Sequence, residues 1–172
     1  GLIVGAPVQE KGYGLITLHR AENTDDPKRM SIIVDELRKL AQQLPLVLPM
    51  HPRTRSVLQQ LDMLGLLSAS VHVIDPVGYL EMVALERDAA VIITDSGGVQ
   101  KEAYFYGVPC VTLRDETEWI ELVDCGANRL APPGALSIVE TVGAALSFGV
   151  AREAGQRIAV VQLSSCSPPL AR

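Results

Sequence analysis

The chain has 172 residues, enough for one domain with a real core, and is 48% hydrophobic but only 4% aromatic. Such a core is aliphatic, as in parallel α/β sheets, and a formal net charge of −5 argues against a broad nucleic-acid or membrane surface. There is no apolar run of transmembrane length and no signal-peptide pattern, and Cys110, Cys125 and Cys166 lack zinc or redox spacing, so a cytoplasmic protein is expected.

Residues 1–13 carry little pattern and read as a linker from a preceding, missing domain. Residues 14–18 form the first predicted strand, which runs into His19, Arg20, Ala21, Glu22 and Asn23. The string TDDP then starts a helix to about residue 43, with Pro27 in its first turn. Met30, Ile33, Val34, Leu37, Leu40, Ala41 and Leu44 recur at intervals of three and four, so one face is buried. Pro45 stops that helix before a second strand, 46–50, which ends on His51 and the string PRTR. A helix over 54–64, a third strand over 71–74 and a helix over 79–87 follow.

The string VIITDSGGVQKEAYFYGVPCVTL predicts a βαβ unit of about thirty residues. The β-branched run 91–94 reads as a strand buried on both faces, and Asp95-Ser96-Gly97-Gly98 turns it into a helix ending at Tyr106. Gly107 suits the helix C-cap, and 108–113 is the next strand. The string DETEW leads a short helix ending at Gly126, and 128–131 is a last strand. An alanine-rich helix to about residue 146, a further helix near 151–161 and a loose tail over 164–172 complete the chain. The domain proper is expected over 14–163.

Strands alternating with helices across short loops imply a doubly wound parallel sheet, whose ligands bind outside the C-terminal strand ends. His19, His51, Ser96 and Arg114 each follow a strand and share that rim, whereas His72 opens its strand and gets no role. At the Ser96–Gly98 turn, free N–H groups and the helix dipole favour an anion. Glu102, one helical turn further on, suits the vicinal hydroxyls of a ribose, so the implied ligand is a nucleotide with its diphosphate on the turn. Other readings stand beside this. In these the two glycines serve backbone geometry alone, Arg114 pairs with neighbouring acids, and His51 is a turn residue. The DETEW acids read best as charge favoured by a helix N-terminus. The string DSGG occurs in trypsin-like proteases too, but here it opens a helix between buried strands and no G-x-S-x-G elbow accompanies it.

LHRAEN, HPRT, TDSGGVQKEA, GVPCVTLRDETEW and GANRL, in this order within residues 14–146, resemble the non-hydrolysing UDP-N-acetylglucosamine 2-epimerases. That family is similar to GT-B glycosyltransferases, with UDP held between two Rossmann-like domains, and this chain resembles its C-terminal domain. The resemblance implies UDP contacts at Ser96, Gly97, Gly98 and Glu102, the last on the ribose. It implies an active histidine near the diphosphate at His19, cleft positions at Arg114 and His51, and contacts to a regulatory UDP-sugar at Arg20 and Glu22. Met82 falls where some members carry an aromatic near the uracil.

Lys101 and DETEW depart from the EEA and DTTER strings of the best-known branch. They resemble the branch that includes 2-epimerases acting on UDP-2,3-diacetamido-glucuronic acid. The implied reaction interconverts UDP-GlcNAc and UDP-ManNAc, or their counterparts, by loss of the C2 proton, elimination of UDP and re-addition. It needs no metal or redox cofactor, and its proton-transferring carboxylates lie in the N-terminal domain. A homodimer is expected for the full-length protein. The rival readings are a GT-B donor-binding domain and a non-catalytic nucleotide-binding module. A dinucleotide dehydrogenase fits poorly, since no G-x-G-x-x-G follows the first strand.

Overall fold

In the computed structural model, which describes residues 7–153, six strands make one parallel sheet. They are β1 (Gly14–Thr17), β2 (Leu46–Pro49), β3 (His72–Ile74), β4 (Val91–Thr94), β5 (Cys110–Thr112) and β6 (Asn128–Leu130). Their spatial order is β3-β2-β1-β4-β5-β6. The chain therefore builds outward from β1 to one edge, returns to β4 beside β1, and builds to the other edge. The switch point lies between β1 and β4, where the loops leaving the two strands diverge and open a crevice. The expected doubly wound sheet is what the residues form.

The helices are α1 (Ala21–Thr24), α2 (Pro27–Leu40), α3 (Pro52–Gln60), α4 (Leu64–Ser68), α5 (Tyr79–Asp88), α6 (Gly97–Tyr106), α7 (Ile120–Asp124) and α8 (Ile138–Glu153). Side chains alternate along each strand, so Ile16 and Ile93 enter one core and Leu15 and Ile92 the other. The first core holds Met30, Ile33 and Leu37 of α2, Leu58 of α3, Leu67 of α4 and Ile138 and Val142 of α8. The second, smaller core holds Leu85 of α5 and Ala103 of α6.

Several boundaries differ from expectation, each for a local reason. Pro27 sits in the first turn of α2 as expected, with the Asp26 carboxylate accepting from the N–H groups of Lys28 and Arg29. The helix expected over 54–64 begins two residues earlier, because Pro52 suits its first turn and the His51 ring caps it. It stops at Gln60, Asp62 takes a positive φ of 55°, and α4 starts separately. A one-turn helix, α1, follows Arg20, where the sequence pattern predicts no helix. Gly107 closes α6 with φ 68°, the left-handed C-cap its sequence suggested.

Residues 7–13, read as linker, dock on the second core. Val8 and Tyr13 are buried there, and the Tyr13 hydroxyl donates to Leu85 O at 2.6 Å. Residues 151–153 continue α8. The rest of the helix expected near 151–161, and the tail, lie outside the described residues. Among the described residues, no helix is long and apolar enough to cross a membrane.

Leu48 is fully buried at the centre of the first core. Leu48→Ala is expected to cost about 2–5 kcal/mol, read from urea unfolding midpoints. Ile32→Ala, at a residue 37% exposed, should change stability by less than about 0.5 kcal/mol.

Candidate functional site

The switch point is held by Asp95, which follows β4 and is fully buried. Its carboxylate accepts from the N–H of Arg20 at 2.9 Å and of His19 at 3.2 Å, both in the loop after β1. The Asn23 amide donates to it at 3.2 Å and to Leu113 O at 3.0 Å, so the loops after β1, β4 and β5 are tied at one point. His19 Nδ1 lies 3.6 Å from Asp95 Oδ1, an ion pair when the ring carries a proton. Beneath, the Thr17 and Thr94 hydroxyls meet at 2.5 Å, and the Ser96 N–H donates to Thr94 Oγ1 at 2.9 Å. Asp95 was not singled out from sequence. Its only signal was its place at a strand end, next to the serine and glycines.

The HPRT string clamps the same loop. His51 Nδ1 accepts from the Arg53 N–H at 3.1 Å, and Arg53 reaches Thr24 Oγ1 at 3.0 Å and Asp25 at 2.6 Å. The Thr54 hydroxyl donates to Leu18 O. The His51 and His19 rings stand 5.6 Å apart, centroid to centroid, so both line one rim as expected. His72 is exposed where β3 begins, at the opposite end of the sheet.

Neither Gly97 nor Gly98 has a positive φ, so backbone geometry does not account for the pair. A Cβ at Gly97 would collide with Glu118 Oε1 and stand 3.6 Å from Arg20 Nη2. A Cβ at Gly98 would meet only Ser96 Oγ, at 3.9 Å, so nothing in the fold itself requires glycine there. Ser96 occupies the N-cap position, yet its hydroxyl makes no capping bond. The helix N-terminus is thus open to an approaching anion on one side and covered by the Glu118 carboxylate on the other.

The DETEW loop arranges that cover. Thr117 donates to Gln100 Oε1 at 2.6 Å, and Trp119 Nε1 donates to Gly97 O at 3.0 Å. Gln100 Oε1 also accepts from Asn128 of the GANRL string at 2.9 Å. Arg114 Nη1 donates to Glu118 at 2.8 Å, while its Nε lies 3.5 Å from Glu22 with no donor geometry to it. Asp115 pairs with Arg29 at 3.2 Å. These acids were read as charge for the N-terminus of the helix that follows. Instead Glu118 reaches the N-terminus of α6, and Asp115 and Glu118 are spent on arginines. The Glu118 carboxyl is held below its ordinary range, first by its own backbone N–H, then by Arg114 and Arg20, against the effect of burial. Lys101 Nζ stands 3.7 Å over the Trp119 ring. Lys101 and Trp119, which depart from the EEA and DTTER strings, thus meet in one cation–π contact.

Glu102 is half-buried on α6 and faces Glu86 of α5, which is 1% exposed. Burial, and then the neighbouring Glu102 carboxylate, push the Glu86 carboxyl up to about 8. Nothing in the sequence marks Glu86, because one acid in a short helix gives no sign that it points inward. Met82 packs, half-buried, against the second core. Among the described residues, no group of three His, Cys, Asp or Glu is placed to hold a metal ion.

The sheet is Rossmann-like, and at its switch point the N-terminus of α6, next to Arg20 and the Arg114–Glu118 pair, suits an anion. Residues 3–160 match the profile of the UDP-N-acetylglucosamine 2-epimerases, and the chain belongs to that family. It is 54% identical over 138 residues to the UDP-2,3-diacetamido-2,3-dideoxy-D-glucuronate 2-epimerase of Pseudomonas aeruginosa, covering 80% of this chain and 38% of that one. It is 40% identical over 139 residues to the UDP-N-acetylglucosamine 2-epimerase of Methanocaldococcus jannaschii, covering 78% and 38%. A crystal structure of the Methanocaldococcus jannaschii UDP-GlcNAc 2-epimerase in complex with UDP-GlcNAc and UDP superposes with a TM-score of 0.75 at 40% identity, over 78% of this chain and 38% of that one. The chain thus spans about two fifths of the length of these relatives.

Two outcomes follow from this geometry. Asp95→Ala strands the His19 and Arg20 N–H groups and the Asn23 amide, and should cost at least about 2–3 kcal/mol in chemical denaturation. Glu86, with its folded pKa raised from 4.5 to about 8, keeps in the native state a proton that the unfolded chain has lost. Its contribution is therefore full below about 4.5 and declines as pH rises towards about 8. Glu86→Gln should flatten that part of the stability–pH profile, measured by unfolding across the range.

Proposed function

We propose that this chain is the nucleotide-holding half of a UDP-sugar 2-epimerase. The observation that supports it best is the N-terminus of α6. There exposed Gly98, which the fold does not itself require, lies beside Ser96, while Arg20 and the Arg114-bound Glu118 approach the preceding Gly97. The α6 N–H groups and Arg114 take up the diphosphate, and Glu102 takes up the ribose hydroxyls. As the bond from the sugar to UDP breaks, charge grows on the departing diphosphate, and dipole and guanidinium are already aimed at it. His19, with its backbone fixed by Asp95, lies beside that charge, and His51 stands behind it.

Glu118 fills part of this seat in the ligand-free arrangement, so a diphosphate displaces its carboxylate and inherits Arg114. Arg20 and Glu22 adjoin the same contacts, which supports their reading as regulatory positions for a second UDP-sugar. The carboxylates that exchange the C2 proton belong to a preceding domain, and the complete protein is a homodimer. UDP-sugar is the substrate, and no metal or redox cofactor takes part. For the sugar, the Lys101–Trp119 contact and the 54% identity to the Pseudomonas aeruginosa enzyme favour a UDP-2,3-diacetamido-glucuronic acid over UDP-GlcNAc.

Titration of the chain with UDP, followed by backbone amide shifts, should perturb Ser96, Gly97, Gly98 and His19. Perturbation confined to the opposite end of the sheet, near His72, would overturn the site. Glu118→Ala removes the competing carboxylate and should tighten UDP binding about two- to fivefold, the scale of one charge at a helix terminus. In deuterated water the chain alone should leave either UDP-sugar unlabelled at C2. Addition of a matching N-terminal domain should introduce the label, since base and acid must both reach C2.

A further inference from the structure

Glu86 is the one acid buried in the second core whose two carboxyl oxygens have no donor among the described residues. An ionised carboxylate left in that position would carry a large desolvation cost. α5 packs against α6, which carries the half-buried Glu102, and that carboxylate acts directly on Glu86. Two ionised carboxylates cannot bond to one another. One proton between them makes a short, charge-assisted bond, and the more deeply buried partner keeps it.

We propose that Glu86 is a positioning residue: it stays protonated, donates its O–H to Glu102, and so holds the Glu102 carboxylate for the ribose of a bound nucleotide. This rests on the reading of Glu102 as the ribose-binding group. A carboxylate has about four acceptor positions. The inward one takes the Glu86 proton, and the outward ones stay open to two vicinal hydroxyls. Without that bond, the Glu102 side chain rotates among its rotamers and binding must order it again.

The surroundings leave Glu86 as the group that titrates near neutrality. From α6 it is faced by Glu102 and Tyr106, and the phenol of Tyr106 is raised by burial and then by Glu86 itself. From β5 it is faced by Cys110, whose thiol burial pushes up to about 12. On its own helix, Arg87 is engaged with Asp88 at 2.7 Å, and Tyr79 stands beyond Tyr106. Tyr13, before β1, donates to Leu85 O, and burial raises its phenol further.

The experiment compares UDP with 2′,3′-dideoxy-UDP on the 172-residue chain between pH 6.5 and 9, by calorimetry or amide shifts. Titration of phosphate and uracil is common to both ligands, so the ratio of their Kd values reports the ribose hydroxyls. In the wild type the ratio should be about tenfold or more at pH 6.5, the scale of one hydrogen bond to a charged group. It should collapse towards one by pH 9, where Glu86 loses its proton and repels Glu102. Glu86→Gln, which keeps a donor and cannot ionise, should hold a large ratio at every pH. Glu86→Leu should show a small ratio throughout, with circular dichroism confirming its fold. A wild-type ratio that is large and independent of pH overturns the proposal and leaves the UDP site standing. So does a Glu86→Gln ratio that falls with pH as the wild type does. Failure of the wild type to bind UDP at pH 6.5 overturns the functional reading and the proposal together.

Discussion

The Asp95 carboxylate holds the site together. It is fully buried at the end of β4, and its donors come from the loop after β1. A buried acid without partners is strongly destabilising, so loop and acid specify each other. The arrangement explains why LHRAEN and TDSGG travel together although 72 to 76 residues separate the bonded pairs. It also sets the entry to α6. The backbone turns at Asp95, the Ser96 N–H returns to Thr94, and Gly97 begins the helix with its N–H groups facing the crevice.

Electrostatics around that N-terminus are balanced. Arg20 and Arg114 would make it strongly attractive to anions, yet Glu118 and Glu22 stand beside them. The carboxylate of Glu118 bonds to Arg114 beside the α6 N-terminus, so an internal anion already offsets the positive charge there. For any anion that approaches, such preorganisation would lower the side-chain entropy lost on binding at the expense of some affinity, because the internal anion must first leave. Trp119, bonded to Gly97 O and covered by Lys101, sets where that anion can sit. A change at 101 or 119 therefore reaches the N-terminus of α6 through the loop.

The Glu86–Glu102 pair shows how environment divides one chemical group into two roles. In the pairing we propose, Glu102, half-buried on α6, accepts, while Glu86, buried beside the second core, donates. Desolvation, the larger influence on Glu86, is a property of the packing and leaves no trace in the residue's identity.

The order of elements was legible from the sequence because buried parallel strands read as β-branched runs and amphipathic helices keep a period near 3.6. Val91–Thr94 and the stop at Gly107 fall where pattern and chemistry put them. The rim positions of His19, His51, Ser96 and Arg114 were legible too, since in a doubly wound sheet every strand ends on the same side. Tertiary structure alone decided what those groups touch. Asp95 and Asn23, Glu118 and Gly97, Lys101 and Trp119, and Glu86 and Glu102 are all pairs made across different loops and helices. Local propensity and periodicity describe an element and its neighbours along the chain. Which carboxylate is left without water, and which donor then reaches it, depends on how the strands and helices pack, and a linear pattern does not carry that distance.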